Sequence, residues 1–212
     1  YSLKSINLPE GLAAMGTYAF QNNICLKEIV LPSTLSNIGN YAFKNCVALE
    51  KVNVPVLVSA TGYTASSLFQ GCTSLKDVTF SEDTYWIPST IFDGCTALTT
   101  VTFPATITEI SNANKMFKNS GLQSIDLGGL TEIPNYMFCD SKELTTVNLS
   151  KITTIGTYAF QNCAKLVNVD LSKVLSIGNY AFDGCSALEE ADLSNATELG
   201  TYVFRNNVAL KH

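Results

Sequence analysis

A leucine recurs at Leu3, Leu26, Leu49, Leu75, Leu98, Leu122, Leu144, Leu166, Leu188 and Leu210, at spacings of 22 or 23 residues interrupted by one of 26 and one of 24. Nothing else in the chain constrains its fold as strongly. Self-similarity at roughly 20 to 30 residues is the mark of a solenoid, in which each unit buries its apolar side only against its neighbours. Residues 1–212 are therefore read as one continuous domain of about nine units, each 22–26 residues long.

Each unit opens with an alternating segment, as in Leu122-x-x-Ile125-x-Leu127 and Leu166-x-x-Val169-x-Leu171. Period-two alternation with β-branched centres is a strand showing one face to a core. Stacked at ~4.8 Å per unit, nine such strands would make a parallel sheet on the order of 40 Å long. A second apolar pair follows, as in Leu35-x-x-Ile38 and Val174-x-x-Ile177, and reads as extended chain returning along the opposite side. The segment Gly156-Thr157-Tyr158-Ala159-Phe160-Gln161-Asn162 then closes the unit, with close copies at Gly16, Gly39 and Gly178. Three residues before its Phe stands a helix-capping type (Thr17, Asn40, Asn135, Thr157), and two after it a type that accepts left-handed backbone (Asn22, Gly71, Asn162, Gly184). Those flanks predict a helix of one turn that presses the Phe into the core, where its burial is worth roughly 1.5 to 3 kcal/mol. The expected fold class is thus α/β but β-rich, a solenoid with a parallel sheet on one face and one-turn helices between strands.

The pattern L-x-x-I-x-L-P…I-G-x-Y-A-F-x-N/G-C-x-x-L resembles the BspA-like, or Treponema-type, leucine-rich repeats found in surface proteins of Bacteroidetes and other host-associated microbes. The likeness covers essentially the whole chain. It implies an extracellular or cell-surface location and a role as a surface adhesin or interaction module, neither of which the residues themselves show.

A net charge of −5 leaves no basic patch to displace phosphate counterions, which argues against nucleic acid as a partner. No apolar run reaches the ~20 residues of a membrane span, and the chain opens at Tyr1 without a charged and apolar leader. Of seven cysteines, Cys46, Cys72, Cys95, Cys163 and Cys185 each fall three residues after a repeat Phe, where other units carry Asn23, Ser120, Ser141 and Asn207. Exchange of Cys with Ser and Asn reads as a small, weakly hydrogen-bonding slot rather than a disulfide framework. No cofactor motif or zinc-ligand spacing is visible, and the single His212 ends the chain. Catalysis would need a convergent set of groups, and only Asp126, Asp170, Glu190 and Asp192 could supply one, so an enzyme, for instance one acting on polysaccharide, is the least favoured reading. Leu210 opens a tenth unit, and solenoid ends without polar caps predict end-to-end self-association or a longer parent chain.

Two surfaces stand out as candidate binding sites. Three adjacent units depart from the pattern over residues 55–64, 81–88 and 111–114, at one point of the coil, and bring Tyr63, Tyr85 and Trp86 into a single raised patch. Such aromatics either cover a lengthened coil or face a ligand. The outward residues of the strands form the second surface, with Asp126, Asn148, Asn168, Asp170, Glu190 and Asp192 toward its acidic end, suited to hydrogen bonding with a host protein or a glycan. The alternative there is a solvated face that blocks aggregation, and Ca2+ between Asp170 and Asp192 is a minor possibility given Lys151 and Lys173 nearby. Tyr136, Tyr158, Tyr180 and Tyr202 share one position and should stack as a ladder, covering the turn or offering a carbohydrate platform. The favoured function is a non-catalytic recognition or adhesion module, and the runner-up is a structural spacer.

Overall fold

The computed structural model describes residues 3–57, 65–110 and 115–211. Within them the chain makes about eight turns, each adding a strand of two to four residues to one or both of two parallel stacks. The front stack runs from Glu28–Ile29 through Lys51–Val54, Asp77–Phe80, Thr100–Thr102, Ser124–Asp126, Thr146–Val147 and Asn168–Val169 to Glu190–Ala191. Its centres alternate as expected: Val52, Val101 and Ile125 are buried while Lys51, Thr100 and Asp126 face out. The return segments form the back stack, from Ala14–Met15 to Glu198–Leu199, in which Glu132–Ile133, Thr154–Ile155, Ser176–Ile177 and Glu198–Leu199 make one continuous sheet. Among the described residues eight front strands form rather than nine. The unit opening at Leu3 is tied to the next along this face by a single long bond, Lys27 N–H to Lys4 O at 3.5 Å, too little for a ladder.

The expected one-turn helices are absent: no helix forms among the described residues, so the fold is a β-solenoid and not α/β. The cause lies two residues before each Phe. Tyr18, Tyr41, Ser67, Thr90, Lys115, Tyr136, Tyr158, Tyr180 and Tyr202 all take φ between 57° and 78°, and a right-handed helix cannot pass through a left-handed residue. The backbone is satisfied another way. Gln161 N–H and Cys163 N–H close four-residue turns onto Tyr158 O and Phe160 O, while the N–H groups of Tyr158, Phe160 and Asn162 cross to Asn179 O, Ala181 O and Asp183 O at 2.9, 2.7 and 2.8 Å. Alternate amides thus bond within the coil and to the next coil, which makes the turns a third ladder.

The polar residues before the Phe serve that same ladder. Asn135 Oδ1 accepts from Thr157 N–H at 2.8 Å and Asn179 Oδ1 from Thr201 N–H at 2.7 Å, so each reaches the following coil instead of capping its own. The left-handed stop is as the sequence suggests: Asn22, Asn45, Asp140 and Asn162 lie at φ 60–62° and Gly71, Gly94 and Gly184 at 74–76°. Gly178 permits the close approach of coils, since a Cβ there would stand 2.5 Å from Thr157 N.

The Phe column is the spine of the core. Phe43, Phe69, Phe92, Phe117, Phe138, Phe160 and Phe182 are fully buried, and from Phe20 to Phe204 successive rings stack at 5.1 to 5.9 Å. Beside it runs the cysteine slot. The thiols of Cys46, Cys72, Cys95, Cys163 and Cys185 donate to the carbonyl of the Phe in the preceding coil at 3.1 to 3.2 Å, and Ser141 Oγ makes the same bond to Phe117 O at 2.6 Å. All seven cysteines are free. Burial pushes the Cys46 thiol up to about 11 and those of Cys139 and Cys185 up to about 12, so these sulfurs remain protonated donors.

Candidate functional site

The acidic end of the front face is built by one repeated device. Asp126, Asn148, Asp170 and Asp192 occupy the same position in successive coils, and the Oδ1 of each accepts the N–H two residues on, from Gly128, Ser150, Ser172 and Ser194, at 2.9 to 3.0 Å. Such Asx turns end the strand and turn the chain toward the back stack. The hydroxyl and N–H of Ser172 hold the Asp170 carboxyl below the ordinary carboxylate range. The N–H and hydroxyl of Ser194 do the same for Asp192, opposed by the neighbouring charge of Asp170. Both therefore stay ionised and exposed.

Asn168 and Glu190 face each other across the ladder, exposed, one rung apart. Glu28, Lys51 and Asp77 are likewise aligned on consecutive rungs, so the front face alternates in charge at its N-terminal end and turns acidic toward its C-terminal end. All six predicted front-face residues share this surface. A hollow of about 50 Å³ between Asp126, Asn148 and Lys151 separates two of them, and Lys151 Nζ donates to Gly128 O at 3.1 Å. A larger hollow of about 220 Å³, beside Asn53, Pro55 and Phe80, falls short of the ~300 Å³ at which small-molecule pockets begin. Among the described residues no three His, Cys, Asp or Glu side chains gather as a metal-binding group.

The aromatic patch is only partly visible, because Tyr63 and residues 111–114 lie outside the described residues. Tyr85 is exposed. Trp86 starts a back strand paired with Glu109 and packs half-buried against the core, so its ring serves the coil's own cover.

The tyrosine column stacks as its spacing suggests. Ring centroids from Tyr136 to Tyr158, Tyr180 and Tyr202 are 4.9, 4.9 and 5.2 Å apart, with interplanar angles of 19°, 8° and 25°. Lys115 Nζ lies 5.7 Å from the Tyr136 ring, and the Arg205 guanidinium 5.0 and 5.6 Å from Tyr180 and Tyr202. A flat carbohydrate platform would need open ring faces, and stacking uses them up.

One arrangement escaped the sequence reading. Asp183, buried, takes Arg205 Nε and Nη2 at 3.0 and 2.6 Å, Asn206 Nδ2 at 3.0 Å and Gln161 Nε2 at 3.2 Å. Arg205 chiefly, with Gln161 and Asn206, holds its carboxyl below the ordinary range against the cost of burial. Asp183 and Arg205 each follow a repeat Phe directly, 22 residues apart with opposite charge, a signal the sequence does contain.

The comparisons with known proteins agree with this geometry. Residues 1–120 and 112–212 match the BspA type leucine rich repeat region family in six copies. No curated protein matches. Among solved structures, a leucine-rich repeat protein of Eubacterium ventriosum superposes with a TM-score of 0.70 at 21% identity, over 98% of this chain and 65% of that one. The leucine-rich repeat protein of T. pallidum gives 0.63 at 24% identity over 74% and 72%, and the pneumococcal vaccine antigen PcpA 0.60 at 19% over 98% and 61%. These likenesses show the fold, and no helix among the described residues is long and apolar enough to cross a membrane. With the whole chain covered by the family's repeats, the protein belongs to the BspA-type leucine-rich repeat family.

Proposed function

We propose that the chain is a non-catalytic recognition or adhesion module of an exported or cell-surface bacterial protein. It binds a host or partner protein, or a glycan, through the outer surface of the solenoid. The observation that carries this reading is the front face itself: an exposed, polar surface continued coil after coil, whose acidic end keeps Asp170 and Asp192 ionised. Family membership and the pneumococcal antigen among structures of like fold support a surface location. A partner matched to that end presents Lys or Arg side chains, for which complementary charge raises both the encounter rate and the specificity.

The test is capture of host extracellular proteins by the whole chain beside an Asp170→Asn/Asp192→Asn variant. Asn148 makes the same turn with an amide, so the substitution removes charge and keeps the fold. Loss of the captured partner is expected, and capture undiminished by the change would remove the acidic face from consideration. A structural spacer is the second reading, favoured by the Asx turns, which give these residues a purely conformational reason to be where they are. It predicts no partner for the unaltered chain in a broad matrix-protein and glycan screen.

A further inference from the structure

Proline breaks the front-face device at one place. Asp126, Asn148, Asp170 and Asp192 each close a turn on the N–H two residues on, but two residues after Asn53 stands Pro55, which has none. The Asn53 amide turns to the preceding coil instead, accepting from Leu31 N–H at 2.8 Å and donating to Leu31 O at 2.7 Å. Beside it the surface opens. The hollow there measures about 220 Å³, against about 50 Å³ at the corresponding place beside Asn148, where Lys151 is part of the lining.

The larger hollow has a lining of two characters and no charge. Pro55, Val56 and Phe80 are apolar, and the Phe80 ring is held edge-on against Phe92 and Phe103, at 83° and 80°. Ser33, Thr79 and Ser81 carry hydroxyls, and Asn53 its amide. Lys51 and Asp77, which open the two strands that reach the hollow, stand on facing rungs and offset each other. Val30, one coil before Asn53 in the same outward row, adds an apolar surface that is 72% exposed.

That combination selects a ligand. A carboxylate or an ammonium group would lose water here without gaining a counter-charge, and a purely apolar side chain would strip water from hydroxyls that it cannot bond. A pyranose ring matches both halves of the lining, with an apolar C–H face and hydroxyls around its rim. The volume excludes a drug-sized ligand, for which ~300 Å³ is the lower end, and leaves room for a single sugar. We propose that this hollow binds one neutral sugar unit of a glycan, its C–H face on Pro55, Val56 and Phe80 and its hydroxyls toward Asn53, Thr79 and Ser81. The site lies apart from the acidic end of the front face, and its ligand carries no charge.

Saturation-transfer NMR of the whole chain tests it, with the methyl glycosides of glucose, galactose, mannose and N-acetylglucosamine as probes. Methyl glucuronide serves as the charged sugar and N-acetyl-leucinamide as the apolar side chain. At least one neutral glycoside is expected to bind, with transfer strongest to its ring C–H protons and an affinity independent of salt, while the two controls do not bind. Thr79→Val/Ser81→Ala removes two hydroxyls, keeps the melting temperature and loses about tenfold in affinity. Absence of binding by every neutral glycoside, equal binding of the glucuronide or the leucinamide, or undiminished binding by the Thr79→Val/Ser81→Ala chain would each overturn the proposal. Asp170→Asn/Asp192→Asn leaves sugar binding unchanged, so failure of this site is distinguishable from failure of the acidic face.

Discussion

The C-terminal coils, from Leu122 onward, and the middle coils, from Leu49 to Phe117, share one spine, one thiol slot and one left-handed turn, and differ in the columns outside them. The Phe rings stack through both, at 5.1 to 5.8 Å in the first region and 5.4 to 5.9 Å in the second. Outside the spine, the C-terminal coils keep a four-stranded back sheet, and Gly156, Gly178 and Gly200 at the close approach. They also keep an unbroken tyrosine ladder. The middle coils replace the tyrosines by Ser67, Thr90 and Lys115, two of the glycines by Ala65 and Pro88, and their described back strands pair apart as Trp86–Ile87 with Glu109–Ile110. The core thus sets the repeat, while the outer columns are free to vary from unit to unit.

If the spine is common to both regions, Phe160→Ala and Phe92→Ala should each lower the unfolding free energy by about 3 to 5 kcal/mol in urea titrations. A markedly smaller loss at Phe92 would mean that the middle coils do not share the core. Asp183→Asn, which cuts a carboxylate network found in the C-terminal coils, is expected to cost about 2 to 3 kcal/mol at pH 7. Because the folded-state pKa of Asp183 is depressed, its stabilisation is full above the unfolded value near ~3.9 and disappears as pH falls through the folded value. The gap between wild type and variant should therefore close in acid, and a gap independent of pH would assign the loss to packing.

Gly178→Ala should destabilise by about 1 to 2 kcal/mol through its collision with the Thr157 backbone. Its counterpart Ala65→Gly, relieving a φ of 47°, should stabilise by up to about 1 kcal/mol. The smallest single-residue effect is in the thiol slot, and it carries a pH signature. Burial raises the thiol pKa values of Cys46, Cys72, Cys95, Cys139, Cys163 and Cys185, so unfolded thiols ionise first and stability should decline as pH rises above about 8.5. Cys163→Ser, making the bond that Ser141 already makes, should shift neutral stability by less than about 1 kcal/mol and flatten that decline.

Repetition makes the strands, the Phe spine and the thiol slot legible in the sequence, because period and burial follow from residue type alone. The turns are not legible there, for a physical reason. A capping residue, an apolar pair and a left-handed stop are the flanks of a helical turn, and Tyr158 at φ 57° carries no mark in its own chemistry, since bulky residues seldom adopt that conformation. Only the bonds to the next coil, such as Asn135 Oδ1 to Thr157 N–H, explain the choice, and they span 22 residues. The outward position of Asp170 and Asp192 followed from strand alternation. Their turn-forming bonds and the inward packing of Trp86 depend on where the chain bends, which alternation does not specify.

The most direct test of the central claim, that recognition lies on the outer face of the C-terminal coils, is the affinity of a captured surface protein for three chains. These are wild type, Tyr85→Ala in the middle coils, and Asp170→Asn/Asp192→Asn. The account predicts about a tenfold loss for the aspartate pair, with the melting temperature unchanged, and no loss for Tyr85→Ala. Full affinity in the aspartate variant together with loss in Tyr85→Ala would contradict it and move the site to the irregular coils.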